Sequence, residues 1–210
     1  AQQVQGTEAG DYVKTEATST GAARYSHDPE TLTPTGLYLE PAATNLLKYS
    51  NDLTQSVWVK NGATFLTETT TAPDGSTVPW IDLTNFIYQN GQAQSTGTTL
   101  TNSIWIKAET PCAIGLFNAA EQPVDNPIGN TSFLTTRLRC DITTEWKRFE
   151  ISDTLLASSP NHNRLGLENR SNVTANTVKI AVWGAQQEVG SYASSNITTE
   201  NSYVTRAADV

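Results

Sequence analysis

Short runs of strict period-two alternation, separated by turn signals, recur along the whole chain. No segment offers the 3.6-residue periodicity of an amphipathic helix over ten residues. Ser103-Ile104-Trp105-Ile106-Lys107 alternates, as do Trp80-Ile81-Asp82-Leu83, Trp146-Lys147-Arg148-Phe149-Glu150-Ile151, Arg164-Leu165-Gly166-Leu167-Glu168 and Val178-Lys179-Ile180-Ala181-Val182-Trp183. Many short alternating strands are the pattern of an all-β sandwich or jelly roll. Turn signals stand at Ala72-Pro73-Asp74-Gly75, Asn90-Gly91 and Ser158-Ser159-Pro160-Asn161, and segment 118–131, with Pro123, Pro127 and Gly129, reads as a long surface loop. No internal repeat is visible. The expected fold is all-β: a jelly-roll β-sandwich over residues 36–210, preceded by an extended arm over 1–35. The arm is polar and lacks the apolar spacing to make a core of its own, so contact with the sandwich, a neighbouring subunit or a larger particle would order it.

Successive strand side chains point to opposite faces. One set is aliphatic: Ile81, Leu83, Ile104, Ile106, Phe149, Ile151, Leu165, Leu167, Val178, Ile180 and Val182. It should fill the space between the sheets. The opposite set holds Trp80 with Asp82, Trp105 with Lys107, Trp146 with Arg148 and Glu150, Arg164 with Glu168, and Trp183. Four of the chain's five tryptophans thus fall on the polar side of their strands. Indole faces stack on pyranose C–H groups, and charged or amide groups hydrogen-bond the hydroxyls. Trp80, Trp105, Trp146, Arg148 and Trp183 are therefore the candidate carbohydrate-binding residues. The alternative is that the same rings are covered by the arm or by a neighbouring subunit, since Trp is enriched at interfaces.

Composition narrows the partners. The net charge of −8 argues against nucleic acid and against an anionic membrane surface. No run of 18 apolar residues exists to span a bilayer. No secretory signal pattern stands at the start, and the missing initial Met suggests a processed product or part of a longer protein. The sequons at Asn130, Asn169, Asn172 and Asn196 are expected by chance in so Thr- and Ser-rich a chain. Cys112 and Cys140 cannot make a Cys₄ metal site. Either they pair, closing a loop worth about 3 kcal/mol on chain-entropy grounds, or they are two separate buried thiols. The two histidines, His27 and His162, sit in no triad arrangement, and no carboxylate pair lies in a glycosidase motif. We expect no enzyme and no cofactor. A structural Ca²⁺ is compatible with loop oxygens such as Asp74, Asp125 or Asn126, though no spacing singles them out.

Two motifs bracket the strand-rich middle. At the front stand Gly36-Leu37-Tyr38-Leu39-Glu40-Pro41-Ala42-Ala43-Thr44-Asn45-Leu46-Leu47 and Val57-Trp58-Val59. At the back stand Trp183-Gly184-Ala185-Gln186-Gln187-Glu188 and Val204-Thr205-Arg206-Ala207-Ala208-Asp209. In this order, with Arg24-Tyr25-Ser26-His27-Asp28-Pro29 before and Ser103–Ala108 and Trp146-Lys147-Arg148 between, they resemble a module of tailed-bacteriophage structural proteins. That module occurs in tail fibres, minor tail proteins and capsid decoration proteins, and is similar to β-sandwich carbohydrate-binding modules. The resemblance covers about residues 22–210. Ala43 replaces an arginine usual in the module, and Trp58 matches its usual structural tryptophan. The resemblance implies a non-enzymatic virion protein, exposed on an extracellular particle. Its implied partners are other virion proteins, copies of itself in a homo-oligomer, and host-surface glycans. A decoration or connector protein without ligand, and a fragment of a polysaccharide-degrading tailspike, are the other readings.

Overall fold

The computed structural model describes residues 24–27, 34–118, 136–155, 163–169 and 177–209. Among these there are twelve strands and no helix, so the all-β expectation holds. The chain divides into two units: residues 1–44 with 205–210, and residues 45–204. Residues 119–131 of the expected loop, the turn at 158–161, Asp125 and Asn126 of the candidate Ca²⁺ set, and most of the arm lie outside the described residues, while Asn118 ends a strand.

The larger unit contains β4 (Val59–Thr71), β5 (Thr77–Asn90), β6 (Thr99–Ala108), β7 (Cys112–Asn118), β8 (Thr136–Ile142), β9 (Lys147–Thr154), β10 (Arg164–Glu168) and β11 (Val178–Val189). All ladders are antiparallel, in the order β8-β7-β10-β5-β11-β6-β9, with β4 on the other edge of β5. Strand β5 belongs to both layers. Its end, Phe86–Asn90, pairs with β10, while its middle, Trp80–Leu83, pairs with β11. The path folds over at β5, and β7 and β8 come to lie against β9 and β6. This is the jelly-roll sandwich the alternation predicts. Every member of the expected aliphatic set is buried, in one cluster with Ile114, Leu116, Cys140, Ile142 and Trp58. Trp58 is 1% exposed and its Nε1 donates to Tyr49 O at 3.2 Å, a core role as the motif implied.

The hairpin β4–β5 turns at Ala72-Pro73-Asp74-Gly75 as expected: Gly75 N donates to Ala72 O, and Asp74 Oδ1 accepts from Ser76 N and Oγ. Asp74 is thereby engaged as a turn residue. Among the described residues no three His, Cys, Asp or Glu gather as a metal site would require. The cysteines are free thiols. Their strands pair in a register that sets Cys112 opposite Ile142 and Ile114 opposite Cys140, so the two are diagonal neighbours. Diagonal positions lie about 7–8 Å apart, beyond the usual reach of a disulfide. Burial pushes the Cys140 thiol up to about 12 and also raises Cys112.

In the smaller unit β1 (Arg24–His27) pairs antiparallel with β2 (Pro34–Tyr38). Strand β3 (Ala43–Asn45) pairs with β12 (Val204–Arg206). The front and back motifs meet here. Arg206 Nη1 donates to Glu40 Oε2 at 2.5 Å and Nη2 to Pro41 O at 3.2 Å. Glu40 N donates to Asp209 Oδ2, and Asp209 N returns a bond to Glu40 O. Glu40, whose side chain is only 4% exposed, finds its cation in the back motif, so the arginine that Ala43 replaces is not needed for this pair.

Candidate functional site

Four adjacent strands, β5, β11, β6 and β9, present the expected polar-aromatic face on the side away from the core. Register aligns the side chains in rows. Trp80 on β5 stands opposite Ala181 on β11, which stands opposite Lys107 on β6. One step along, Trp183 stands opposite Trp105, and Trp105 opposite Arg148. Trp146 directly precedes β9, beside Lys147, whose partner is Ile106. The methyl side chain of Ala181 leaves room above it for the large residues on both sides. All five candidate residues are thus brought to one face.

The four indoles pack into a single layer with Ala72, Val78 and Ala181. Trp183 lies at the bottom, 6% exposed, and Trp80, Trp105 and Trp146 are half-buried. Trp105 and Trp183 meet edge to face, with centroids 6.5 Å apart and planes at 60°. Trp146 Nε1 donates to Thr71 O at 2.8 Å, anchoring that ring to the end of β4. Lys107 Nζ lies 5.4 Å from the Trp80 centroid and 5.6 Å from that of Trp146. Arg148 Nη2 donates to Ser103 Oγ at 2.9 Å.

The backbone beside Trp183 is bent to suit. The β11–β6 register slips between Trp183 and Gln186, a β-bulge, and Gly184 sits there with φ +65°. A Cβ at Gly184 would come within 2.9 Å of Asn196 Oδ1 and 3.2 Å of Trp105 Cδ1. Only glycine takes both the left-handed conformation and the close approach of the Trp105 ring without strain. The Trp-Gly dipeptide of the back motif therefore shapes the aromatic layer.

At one edge Lys179 donates to Glu68 Oε2 at 2.6 Å and Glu109 Oε1 at 2.8 Å. These bonds, Glu109 foremost, hold its ammonium above the ordinary lysine range. Its Nζ is also 5.7 Å from the Trp80 centroid. Lys179, Glu109 and Cys112 line a cleft of about 260 Å³.

Sequence reasoning missed a second aromatic group, on the outer side of the other layer. Phe86 and Tyr88 lie 5.7 Å apart, Tyr88 and Phe117 6.4 Å, and the Arg164 guanidinium carbon sits 4.5 Å from the Tyr88 centroid. Period two gave no clear signal here: Phe86, Ile87 and Tyr88 form a continuous apolar run, of which only Ile87 enters the core.

No protein-family model and no curated protein matches the chain. Among solved structures it is similar to a protein described as "CBM4 structure and function", at 14% identity over 64% of this chain and 95% of that one, TM-score 0.44. It is similar to the CBM22-1 xylan-binding domain of Paenibacillus barcinonensis Xyn10C, at 12% identity over 71% of this chain and 94% of that one, TM-score 0.47. It is also similar to the enzymatically active domain of tailspike protein 4 of bacteriophage CBA120, at 13% identity over 68% of this chain and 21% of that one, TM-score 0.46.

Proposed function

We propose that this chain is a non-enzymatic attachment module of a bacteriophage virion, exposed on the particle and binding host-surface glycans through the tryptophan face. The observation that carries the reading is the aromatic layer itself. Three half-buried indoles and two cations are gathered on the solvent side of a sheet whose other side already holds the core. In this reading Trp80, Trp105 and Trp146 stack on sugar rings. Trp183, being buried, supports Trp105 from below, and Arg148 and Lys107 donate to sugar oxygens. Assembly with other virion proteins and with copies of itself belongs to the same proposal, and its support is the resemblance of the bracketing motifs.

A second reading is favoured by the packing: the Trp146 indole N–H is already bonded to Thr71 O, and the rings pack on one another. The layer would then be a small satellite core of a decoration or connector protein, with no ligand. Trp105→Ala separates the two readings. The platform predicts loss of most glycan binding, read by intrinsic fluorescence on a glycan panel, with thermal stability little changed. The satellite core predicts a loss of about 3–5 kcal/mol, as for a buried aromatic truncated to Ala. A large stability loss, with no glycan bound by the native protein, retires the platform.

A further inference from the structure

We infer that the tryptophan face is built for an acidic sugar, with the Lys107 ammonium as the group that pairs with the sugar's carboxylate, sulfate or phosphate. This deepens the glycan-binding reading above and rests on it. Among the described residues Lys107 Nζ has no hydrogen-bond acceptor and no carboxylate partner; it lies over the Trp80 and Trp146 rings. An ammonium carries three donors and a full charge. Held beside two indoles, it is presented at a fixed place on the face, and no described residue satisfies its donors or its charge.

The neighbouring cations are arranged differently. Lys179, which approaches the same Trp80 ring, is neutralised by two carboxylates, Glu68 and Glu109. Arg148 donates to Ser103 Oγ. The chain has 21 acidic and 13 basic residues, so a cation picked at random has a good supply of carboxylates around it. Lys107, in the middle of the aromatic layer, has none among the described residues. A neutral sugar would use its donors but leave the charge unmatched. A uronate, a sialic acid, or a sulfated or phosphorylated hexose would match both. The ring of such a sugar would stack on the flanking indoles, and its acid group would sit at the ammonium.

The overall charge of −8 does not defeat this pairing. Exposed charges more than about 8–10 Å apart are largely screened at physiological salt. Contact with an acid group is decided at shorter range, at the Lys107 ammonium itself. The cost falls on the approach of a polyanion, which the acidic body of the protein slows. Such binding should therefore weaken as salt is raised, because the pairing itself is partly exposed.

The test is a panel of matched oligosaccharides: hexose against hexuronate, asialo against sialylated, unsubstituted against sulfated, with inorganic phosphate as a competitor. We expect the bound members to be acidic, to bind at least about tenfold more tightly than their neutral matches, and to weaken between 50 and 500 mM NaCl as a contact ion pair is screened. Lys107→Gln should abolish the tenfold preference without abolishing the fold, checked by circular dichroism and melting temperature, and Lys107→Arg should keep it. Equal binding of neutral and acidic members by the native protein overturns the inference while leaving the platform standing. So does an acid preference untouched by Lys107→Gln. Displacement of the sugar by phosphate at equal concentration shows a bare anion site and also overturns it. Binding of no member removes the platform, and this inference with it.

Discussion

Asn45 should be the most costly single polar side chain to remove from the sandwich. It is fully buried, and its amide is used to capacity. Nδ2 donates to Ala185 O at 3.1 Å and to Ile197 O at 2.8 Å; Oδ1 accepts from Leu47 N at 3.1 Å and from Gln187 N at 3.2 Å. Two donors and two acceptor sites are all that an Asn side chain has. The four partners are backbone groups from the front motif, the back motif and the segment after it. Asn45→Ala removes four bonds of about 1 kcal/mol net each and leaves their partners buried, so we expect a loss of about 4 kcal/mol. That is a large share of the 5–15 kcal/mol that holds a typical domain together. At about 2–4 °C per kcal/mol for a chain of this size, the melting temperature should fall by about 8–16 °C. In urea, with a slope of about 2 kcal/mol/M, the midpoint should fall by about 2 M. Asn45→Asp is the sharper control. It keeps shape and both acceptors, but turns an oxygen toward two carbonyl oxygens, and should cost at least as much. Tryptophan fluorescence during urea unfolding reports both variants. If either loses less than about 1 kcal/mol, the amide is not the tie between the two motifs.

Two further outcomes follow from packing and burial. A Cβ on Gly166 would fall 2.1 Å from Phe117 Cζ, so Gly166→Ala should cost about 1–3 kcal/mol by overpacking, measured by the same urea titration; an unchanged midpoint would mean that the ring moves aside freely. Because burial raises the Cys140 pKa from 9.0 to about 12, the folded state holds that thiol proton more tightly than the unfolded chain. Stability from this source is complete below pH 9 and declines as pH rises from 9 toward 12. A thiol reagent at pH 8 should leave Cys140 unmodified until denaturant is added, and rapid labelling in the folded protein would refute the burial.

How much of this was readable in the sequence depended on where the information lies. Period two located the layers and separated core from surface, because strand geometry assigns a face to every second residue regardless of partner. Ile104 and Trp105 could be told apart without knowing which strand lies beside β6. The same rule placed Trp80, Trp105, Trp146, Trp183 and Arg148 on one side of their strands. It could not show that β5, β11, β6 and β9 are neighbours in that order, and so could not show that the rings touch. Nor could it show that Trp183 would be buried: that depends on the bulge at Gly184, which the dipeptide signals only once the β6 partner is known. The Glu40–Arg206 pair lay beyond pattern reading for the same reason. Its partners are 166 positions apart, and Ala43 drew attention to a missing arginine rather than to the one supplied from the other end.

The aromatic layer illustrates why a tryptophan on the polar side of a strand is ambiguous, and what resolves it. An indole ring has two faces and one N–H. If the fold occupies both faces and the N–H, the residue is packing; whatever is left over is available to a ligand. Trp183 is at one extreme, buried beneath Trp105 and closed to a ligand, although its N–H has no partner among the described residues. Trp146 has its N–H taken by Thr71 O and stays half-buried. Trp80 has two lysine ammonium groups near its ring, Lys179 neutralised by carboxylates and Lys107 with no carboxylate among the described residues. The layer is thus graded from core to surface. The ring surface still open is that of the half-buried Trp80, Trp105 and Trp146, with the Lys107 ammonium beside two of them, and a ligand that uses this face should be felt there first. Trp183→Phe, which keeps most of the packing, should leave glycan affinity nearly intact, whereas a platform centred on Trp183 would lose it.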